Sequence, residues 1–289
     1  MSERVARSRT LVARGYALAT VARVMHISRQ ALYRTPRPRT APQRRPPQDA
    51  VERAIVEVAQ ENPTDGYRMV WALVRRRLSV DVNRKRVLRV MREHKLIQRR
   101  PRQPRRRRPG FFRVQCPDQL WHLDLTSVWV GEQGWCYLMA AIDCCTREIV
   151  AWSLELRCRT QEAVALVERA CACQGVVAGQ LTLGTDNGSA FTSRGFRACL
   201  AELGIAHRRG GYRDPESQAF IESWFGKLKE REVWRSEYET LEPARAGIGA
   251  YVERYHHRPH SKLNYRTPKE VRRIWDDARG ADVLRKQAA

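Results

Sequence analysis

The sequence predicts an α/β protein, with a mixed-sheet domain in the second part of the chain preceded by all-α units of helix-turn-helix type. Two observations carry this. Up to about residue 113 the apolar residues recur at helical spacing, whereas from Gln119 they fall in aromatic and β-branched runs that then alternate with helical segments. The charge divides at the same place: residues 1–113 hold 30 basic and 8 acidic side chains, residues 114–289 hold 24 and 23, and so the helical part carries nearly all of the formal +23. A surplus of that size selects polyanionic partners over small acidic substrates.

Residues 1–35 contain two short amphipathic runs, then His26-Ile27 and Ser28, whose hydroxyl suits the N-cap of a third helix. That is the spacing of a helix-turn-helix-like unit. Residues 36–48 are a Pro/Arg linker; with Thr35 they carry five prolines and no acid, which favours an extended, solvated backbone. Residues 49–98 form a second helix-turn-helix-like domain. Val51, Ile55, Val58 and Ala59 mark its first helix, Pro63 ends it, and Gly66 permits the turn into Tyr67–Leu78. Asn83 caps a third helix with Val87, Leu88, Val90 and Met91 inward; Arg84, Lys85, Arg86, Arg89 and Arg92 face outward, with Glu93 the only acid in the neighbourhood. This basic face is expected to contact DNA. Residues 99–115 read as an Arg-rich strap whose eight arginines, among them Arg105, Arg106, Arg107 and Arg108, suit phosphate binding.

Residues 116–275 form the α/β core with its C-terminal helix, and 276–289 a tail. WHLDLTSVWV and WCYLMAAIDCCT, joined by Gly131-Glu132-Gln133-Gly134, read as an antiparallel hairpin, and EIVAWSLEL as a third strand. A helix from Thr160 to Ala172, a strand QLTLGT, a helix over Arg194 to Leu203, a brief strand near Ile205-Ala206-His207 and a long helix from Ser217 to about Trp234 follow. The last amphipathic helix, Pro243 to Tyr255, precedes HHRPHSKLNYRTPKEV. The longest uncharged stretch, residues 170–185, has 16 residues and three glycines. A membrane span needs roughly 20 apolar residues, so none is expected. The eight cysteines include no C-x-x-C pair and read as free thiols of a reducing compartment. His256, His257 and His260 have no cysteine nearby and read as locally hydrogen-bonded rather than zinc-binding.

Three acids stand out. Asp124 lies in the middle of the first strand, where strand propensity and desolvation both disfavour an ionised carboxylate unless a cation or hydrogen bonds compensate. The period of two puts His122, Asp124 and Thr126 on one face and Trp121, Leu123 and Leu125 on the other. Asp186 ends the fourth strand in Thr-Asp-Asn-Gly-Ser, at the carboxyl end where open α/β sheets gather ligands; Asp-Asn-Gly is equally plain turn chemistry. Glu222 lies among Phe220, Ile221, Trp224 and Phe225 near the start of the long helix, with 35 residues between it and Asp186, and shares a side of that helix with Lys229. A strand, a neighbouring strand end and a helix over the sheet can bring three such carboxylates together. Their oxygens suit Mg²⁺ or Mn²⁺, and two such ions would relieve the mutual repulsion.

These motifs together resemble the transposase of a bacterial insertion sequence of the two-frame type, the insertion-sequence-three family, in its downstream OrfB product. The resemblance spans nearly the whole chain. GYRMVWALVRRRLSVDVNRKRVLRVMREHKL is similar to the family's second helix-turn-helix, WHLDLT and TDNGSAF to its first two catalytic motifs, ESWFGKLKE to its third, and YHHRPHSKLNYRTPKE to its C-terminal signature. The family's G-N-P-x-D-N before the third motif is replaced here by residues 211–218, GYRDPESQ. The resemblance implies a retroviral-integrase-like core of ribonuclease H type and a DDE triad at Asp124, Asp186 and Glu222. In it Asp124 bridges two Mg²⁺ ions, which Mn²⁺ can replace, Asp186 and Glu222 each hold one, and Lys229 fixes a phosphate. It further implies strand cleavage and strand transfer on double-stranded DNA, at element ends and target, by a homo-oligomer in the bacterial cytoplasm at the nucleoid, with a possible OrfA partner. A second reading keeps the fold without the chemistry: an inactive DNA-binding regulator, or an OrfB fragment that needs an upstream OrfA.

Overall fold

The computed structural model describes residues 3–33, 50–98, 114–210 and 219–287. The Pro/Arg linker, the strap with Arg105, Arg106, Arg107 and Arg108, and the segment 211–218 lie outside the described residues. The chain forms two compact units, Met1–Asp49 and Ala50–Ala289. In the first, α1 (Glu3–Ala13), α2 (Leu18–Val24) and α3 (Arg29–Tyr33) surround buried Val21 and Ala22. Ser28 Oγ accepts the Ala31 amide at 3.3 Å, which satisfies one of the amides that a helix start leaves open. Arg9 Nη2 donates to the Ala31 carbonyl at 3.1 Å and ties α1 to α3.

The second unit begins with α4 (Ala50–Glu61), α5 (Tyr67–Leu78) and α6 (Arg84–Glu93). They close around Ile55, Val58, Val70, Val74, Val87 and Val90, all essentially without solvent contact. Asn83 Oδ1 accepts the Lys85 amide at 2.8 Å, the cap its side chain announces.

The sheet follows: β1 (Leu120–Val130), β2 (Gly134–Asp143), β3 (Ile149–Glu155), then α7 (Thr160–Gln174), β4 (Thr182–Thr185), α8 (Ser189–Thr192), α9 (Arg194–Glu202) and β5 (Ala206–Arg209). Its order is β3-β2-β1-β4-β5, with β1, β2 and β3 antiparallel and β4 and β5 parallel to β1. This is a mixed sheet of the ribonuclease H-like type. Strand alternation sorts its side chains into two cores. Trp121 and Leu123 pack with Leu166, Phe191 and Phe196 under α7, α8 and α9. Val128, Val130 and Leu138 point the other way, onto α10 (Ala219–Arg231) and α11 (Leu241–His256) through Ile221, Trp224, Leu228 and Ile248.

Two helices have no counterpart in the sequence reading, the single turn α8 and a long one at the C-terminal end. A helix α12 (Pro268–Gln287) runs on past residue 276, where the sequence reading begins the tail. Thr267 and Glu270 cap it reciprocally: Thr267 Oγ1 accepts the Glu270 amide at 3.1 Å and Glu270 Oε2 accepts the Thr267 amide at 2.8 Å. Arg272 anchors it to the core by gripping both oxygens of Asp118, at 2.5 and 3.1 Å, and Glu148 at 2.9 Å. Among the described residues no helix is long and apolar enough to cross a membrane, and none of the eight cysteines forms a disulfide.

Candidate active site

Parallel pairing of β1 with β4 sets Leu123 beside Thr185. The next residue along each strand is an aspartate, so Asp124 and Asp186 come side by side at neighbouring positions, about one inter-strand spacing (~4.8 Å) apart in backbone. Asp124 is half-buried and its Oδ1 accepts the Leu125 amide at 2.8 Å. Burial pushes its carboxyl up to about 6; the Leu125 amide opposes this, and Asp186 and Glu222 add to it. Asp186 Oδ1 accepts the Gly188 amide at 2.9 Å, and Asn187 Nδ2 donates to the Gly210 carbonyl at 3.1 Å. Turn chemistry and site geometry therefore coincide at this aspartate. Glu222 sits exposed in the first turn of α10, which is seated on the sheet by buried Ile221, Trp224, Phe225 and Leu228. The apolar neighbours of Glu222 thus bring it to the face that carries Asp124.

Below this triad is a layer that sequence reasoning did not assemble. His122, two residues before Asp124 on the same face, is 2% exposed and stacks on Phe220 with centroids 5.9 Å apart and planes at 20°. The Arg147 guanidinium also lies over that ring, 3.2 Å from its centroid. Burial first, then Arg147 and Arg208, hold the His122 imidazole down at about 4, hence neutral at physiological pH. Gly184, on β4 beside His122, is required here because a Cβ would stand 2.8 Å from the His122 ring. Phe220 and Arg147 are 73 residues apart in sequence, and no local pattern joins them.

Among the described residues none of the three carboxylates is neutralised by an ion pair. Three carboxylates without a cationic partner, two of them at the central strands β1 and β4 and one on α10, have the chemistry of a hard divalent-cation site. Among the described residues, however, no three His, Cys, Asp or Glu side chains yet converge closely enough to hold an ion. Asp186 acts on Asp124 more strongly than Glu222 does. The site is therefore an aspartate pair with an exposed glutamate beside it. Lys229 follows two turns along α10 on the side of Glu222, half-buried and without an ion pair among the described residues.

Comparison with known proteins accords with this geometry. An integrase core domain model matches residues 114–215, a second integrase core domain model matches 203–268, and an HTH-like domain model matches 47–105. Transposase InsD for insertion element IS2-9 of Escherichia coli K12 is 30% identical over 295 residues, covering 94% of both chains. The InsD transposase for IS2A/D/F/H/I/K of Escherichia coli is 31% identical over 290 residues, covering 92% of this chain and 94% of that one.

The chain belongs to the InsD-type insertion-element transposases.

It is accordingly a DDE-type polynucleotidyl transferase with an integrase core. A more distant structural likeness is to the catalytic core domain of BIV integrase, 18% identical with a TM-score of 0.43, covering 57% of this chain and 99% of that one.

In this transposase the basic face of α6 differs from its sequence reading. Glu52 of α4 reaches it and pairs with Arg86 at 3.5 Å and Arg89 at 2.6 Å, while Arg89 also holds Glu93 at 3.0 Å. Glu93 is thus not the only acid nearby. Arg84 lies over Trp71, 4.0 Å from the ring centroid, and over Tyr265 at 5.5 Å. Lys85 and Arg92 stay exposed and without ion pairs among the described residues.

The C-terminal signature turns out to join the HTH-like domain to the core. Buried Asp65, at the turn after α4, is held by Arg231 at 2.8 Å and by Arg258, whose other nitrogen reaches Asn62 Oδ1 at 3.1 Å. Arg76 of α5 makes two 2.6 Å hydrogen bonds to the Glu270 carboxylate and a third, at 3.1 Å, to the Tyr265 carbonyl. The histidines serve locally. His256 Nε2 accepts the Ile149 amide at 3.0 Å, His257 meets Glu253 at 2.9 Å, and His260 Nδ1 accepts the Lys262 amide at 3.3 Å.

Proposed function

We propose that this transposase binds the ends of its element as double-stranded DNA and performs metal-dependent strand cleavage and strand transfer at Asp124, Asp186 and Glu222. The observation that carries the reading is the β1–β4 register, which sets Asp124 and Asp186 side by side, with Asp124 carrying a carboxyl that nothing cationic among the described residues compensates. These three side chains would hold a pair of Mg²⁺ ions, or Mn²⁺ in their place. When bound, the ions supply Lewis-acid stabilisation of the attacking and leaving oxygens of an in-line displacement.

The protein's own part is positioning. The sheet fixes Asp124 and Asp186 rigidly, whereas Glu222, exposed on a helix, has rotamer freedom to close the set. Lys229 lies two turns along the same helix side, placed to hold a phosphate of the reacting strand. Cleavage exposes a 3′-hydroxyl that attacks a second phosphodiester; exchange of one phosphodiester for another is nearly isoenergetic and needs no ATP. Lys85 and Arg92, then Arg84, Arg86 and Arg89 where DNA displaces their present partners, and the arginines of the strap supply phosphate contacts. The active species is a homo-oligomer on DNA, with an OrfA product as partner.

The test is cleavage of element-end DNA in Mg²⁺ by the full chain and by Asp124→Ala. Loss of cleavage with retained DNA binding is expected; undiminished cleavage by the variant refutes the assignment. One observation favours a second reading, a DNA-binding regulator or an OrfB awaiting its OrfA: among the described residues the carboxylates do not yet converge. Binding without cleavage both by this chain and by an OrfA fusion would select the regulator.

A further inference from the structure

Between the HTH-like domain and the core lies a cavity of about 590 Å³, lined by Asp65 on one side and by Lys227, Arg231, Arg258, His260 and Ser261 on the other. We propose that this cavity binds a phosphate group, and that the group is a backbone phosphate of bound DNA. The second half rests on the function proposed above; the first does not.

Charge is the first argument. Three basic side chains face one carboxylate, a formal surplus of two positive charges. Asp65 is spent on Arg231 and Arg258. The Nε atoms of both arginines are buried without hydrogen-bond partners. Lys227, one helical turn before Arg231, makes neither a hydrogen bond nor an ion pair among the described residues. Its ammonium is pulled below the usual lysine value by burial and then by Arg231 and Arg258, with Asp65 opposing. A surplus of one sign at partly buried positions is unfavourable unless a counter-charge enters.

Hydrogen-bonding polarity is the second argument. His260 Nδ1 accepts the Lys262 amide, so the proton of the neutral ring is assigned to Nε2, which is left as a donor. Burial, and then Lys227 and Arg147, keep this ring neutral, down at about 4, so it donates without adding charge. With the Lys227 ammonium and the Ser261 hydroxyl the cavity offers three kinds of donor, while its one carboxylate is already engaged. An anion made only of acceptors is the complement, and phosphate is the one DNA supplies. The volume exceeds that of a bare ion and falls in the range of small-molecule sites, roughly 300–1,000 Å³, so a phosphate with its attached sugar fits. Location favours DNA over a free compound, because Thr64, Asp65, Tyr67 and Met91 of the HTH-like domain form one wall of the cavity.

The test uses the full chain in EDTA, so that it does not depend on the triad. Thermal unfolding is followed in sodium pyrophosphate and in sodium chloride of equal ionic strength, for wild type, Lys227→Gln and Lys227→Arg. In chloride, Lys227→Gln is expected to match or exceed the wild type, because the repulsion from Arg231 and Arg258 is gone. In pyrophosphate it is expected to lose at least half of the wild-type rise in Tm, while Lys227→Arg keeps most of it. Binding of a short duplex separates the sources. For a DNA phosphate, Lys227→Gln weakens binding and makes the slope of log K against log[salt] shallower by about 1. A lost pyrophosphate response with an unchanged slope assigns the site to a free phosphate compound. Equal pyrophosphate responses and equal slopes in wild type and Lys227→Gln overturn the site. Since no step requires cleavage, an active Asp124→Ala protein would overturn the catalytic assignment and leave this result standing.

Discussion

Asp124 illustrates how much of a site one residue can declare. An aspartate within a strand face otherwise made for His122, Thr126, Val128 and Val130 asks for compensation, and the fold supplies one backbone amide, from Leu125. The group titrates near 3.8 when unperturbed and at about 6 in the fold. Folded protein therefore holds this proton more tightly than unfolded protein. The contribution to stability is complete below about 3.8 and falls as pH rises toward about 6. Asp124→Asn is thus expected to abolish cleavage yet raise Tm in EDTA above pH 6, by about 2–4 °C for each kcal/mol relieved. The gap between variant and wild type should open across that pH window, and melting curves measured at several pH values check it. Gly184 bears on the same spot. Gly184→Ala sets a methyl 2.8 Å from a His122 ring held under Phe220. It is expected to lower Tm by several degrees, matching the ~1–3 kcal/mol of an overpacked core. Strand parity made the acid and its face legible in the sequence. The Phe220 ring under Arg147 was not, since the two side chains come from segments distant in the chain.

Elements were legible in proportion to how local their signals are. Asn83 and Ser28 announce helix starts, and each caps as its side chain requires. The reading of α6 failed where partners come from afar: Glu52 lies 37 residues from Arg89 and closes on it only when α4 packs against α6. α12 was missed because its apolar face is weak; ion pairs hold it, including Arg272 with Asp118 across 154 residues. Its first turn also carries a pH-sensitive contact. The Arg76 guanidinium holds the Glu270 carboxyl well below the ordinary 4.5, at about 2. The stability from this contact is present above about 4.5 and is lost as pH falls toward about 2. Glu270→Gln should therefore melt lower than wild type at neutral pH, by the ~0.5–1 kcal/mol of a well-formed but partly exposed pair. The two proteins should converge as pH is lowered through that range, with thermal or denaturant melts as the measurement.

At the scale of the molecule, charge segregation was the plainest message of the sequence, and it bears directly on affinity. A helical part that holds nearly all of the net +23 offers many phosphate contacts. The slope of log K against log[salt] for element-end DNA is accordingly expected to be steeper than about −3, measured by fluorescence anisotropy across a salt series. A shallower slope would count against an extended footprint. Asp65 and Glu270 remained obscure, because an acid that fastens one domain to another looks in sequence like any other surface acid. Yet these two fastenings, through Arg231 and Arg258 on one side and Arg76 on the other, leave α4–α6 little freedom to swivel over the sheet. A domain so mounted works as a caliper: the count of base pairs between the stretch it reads and the bond that breaks is set by the protein's own dimensions, and a base inserted between them would move the cut within the DNA without altering its distance from the reader.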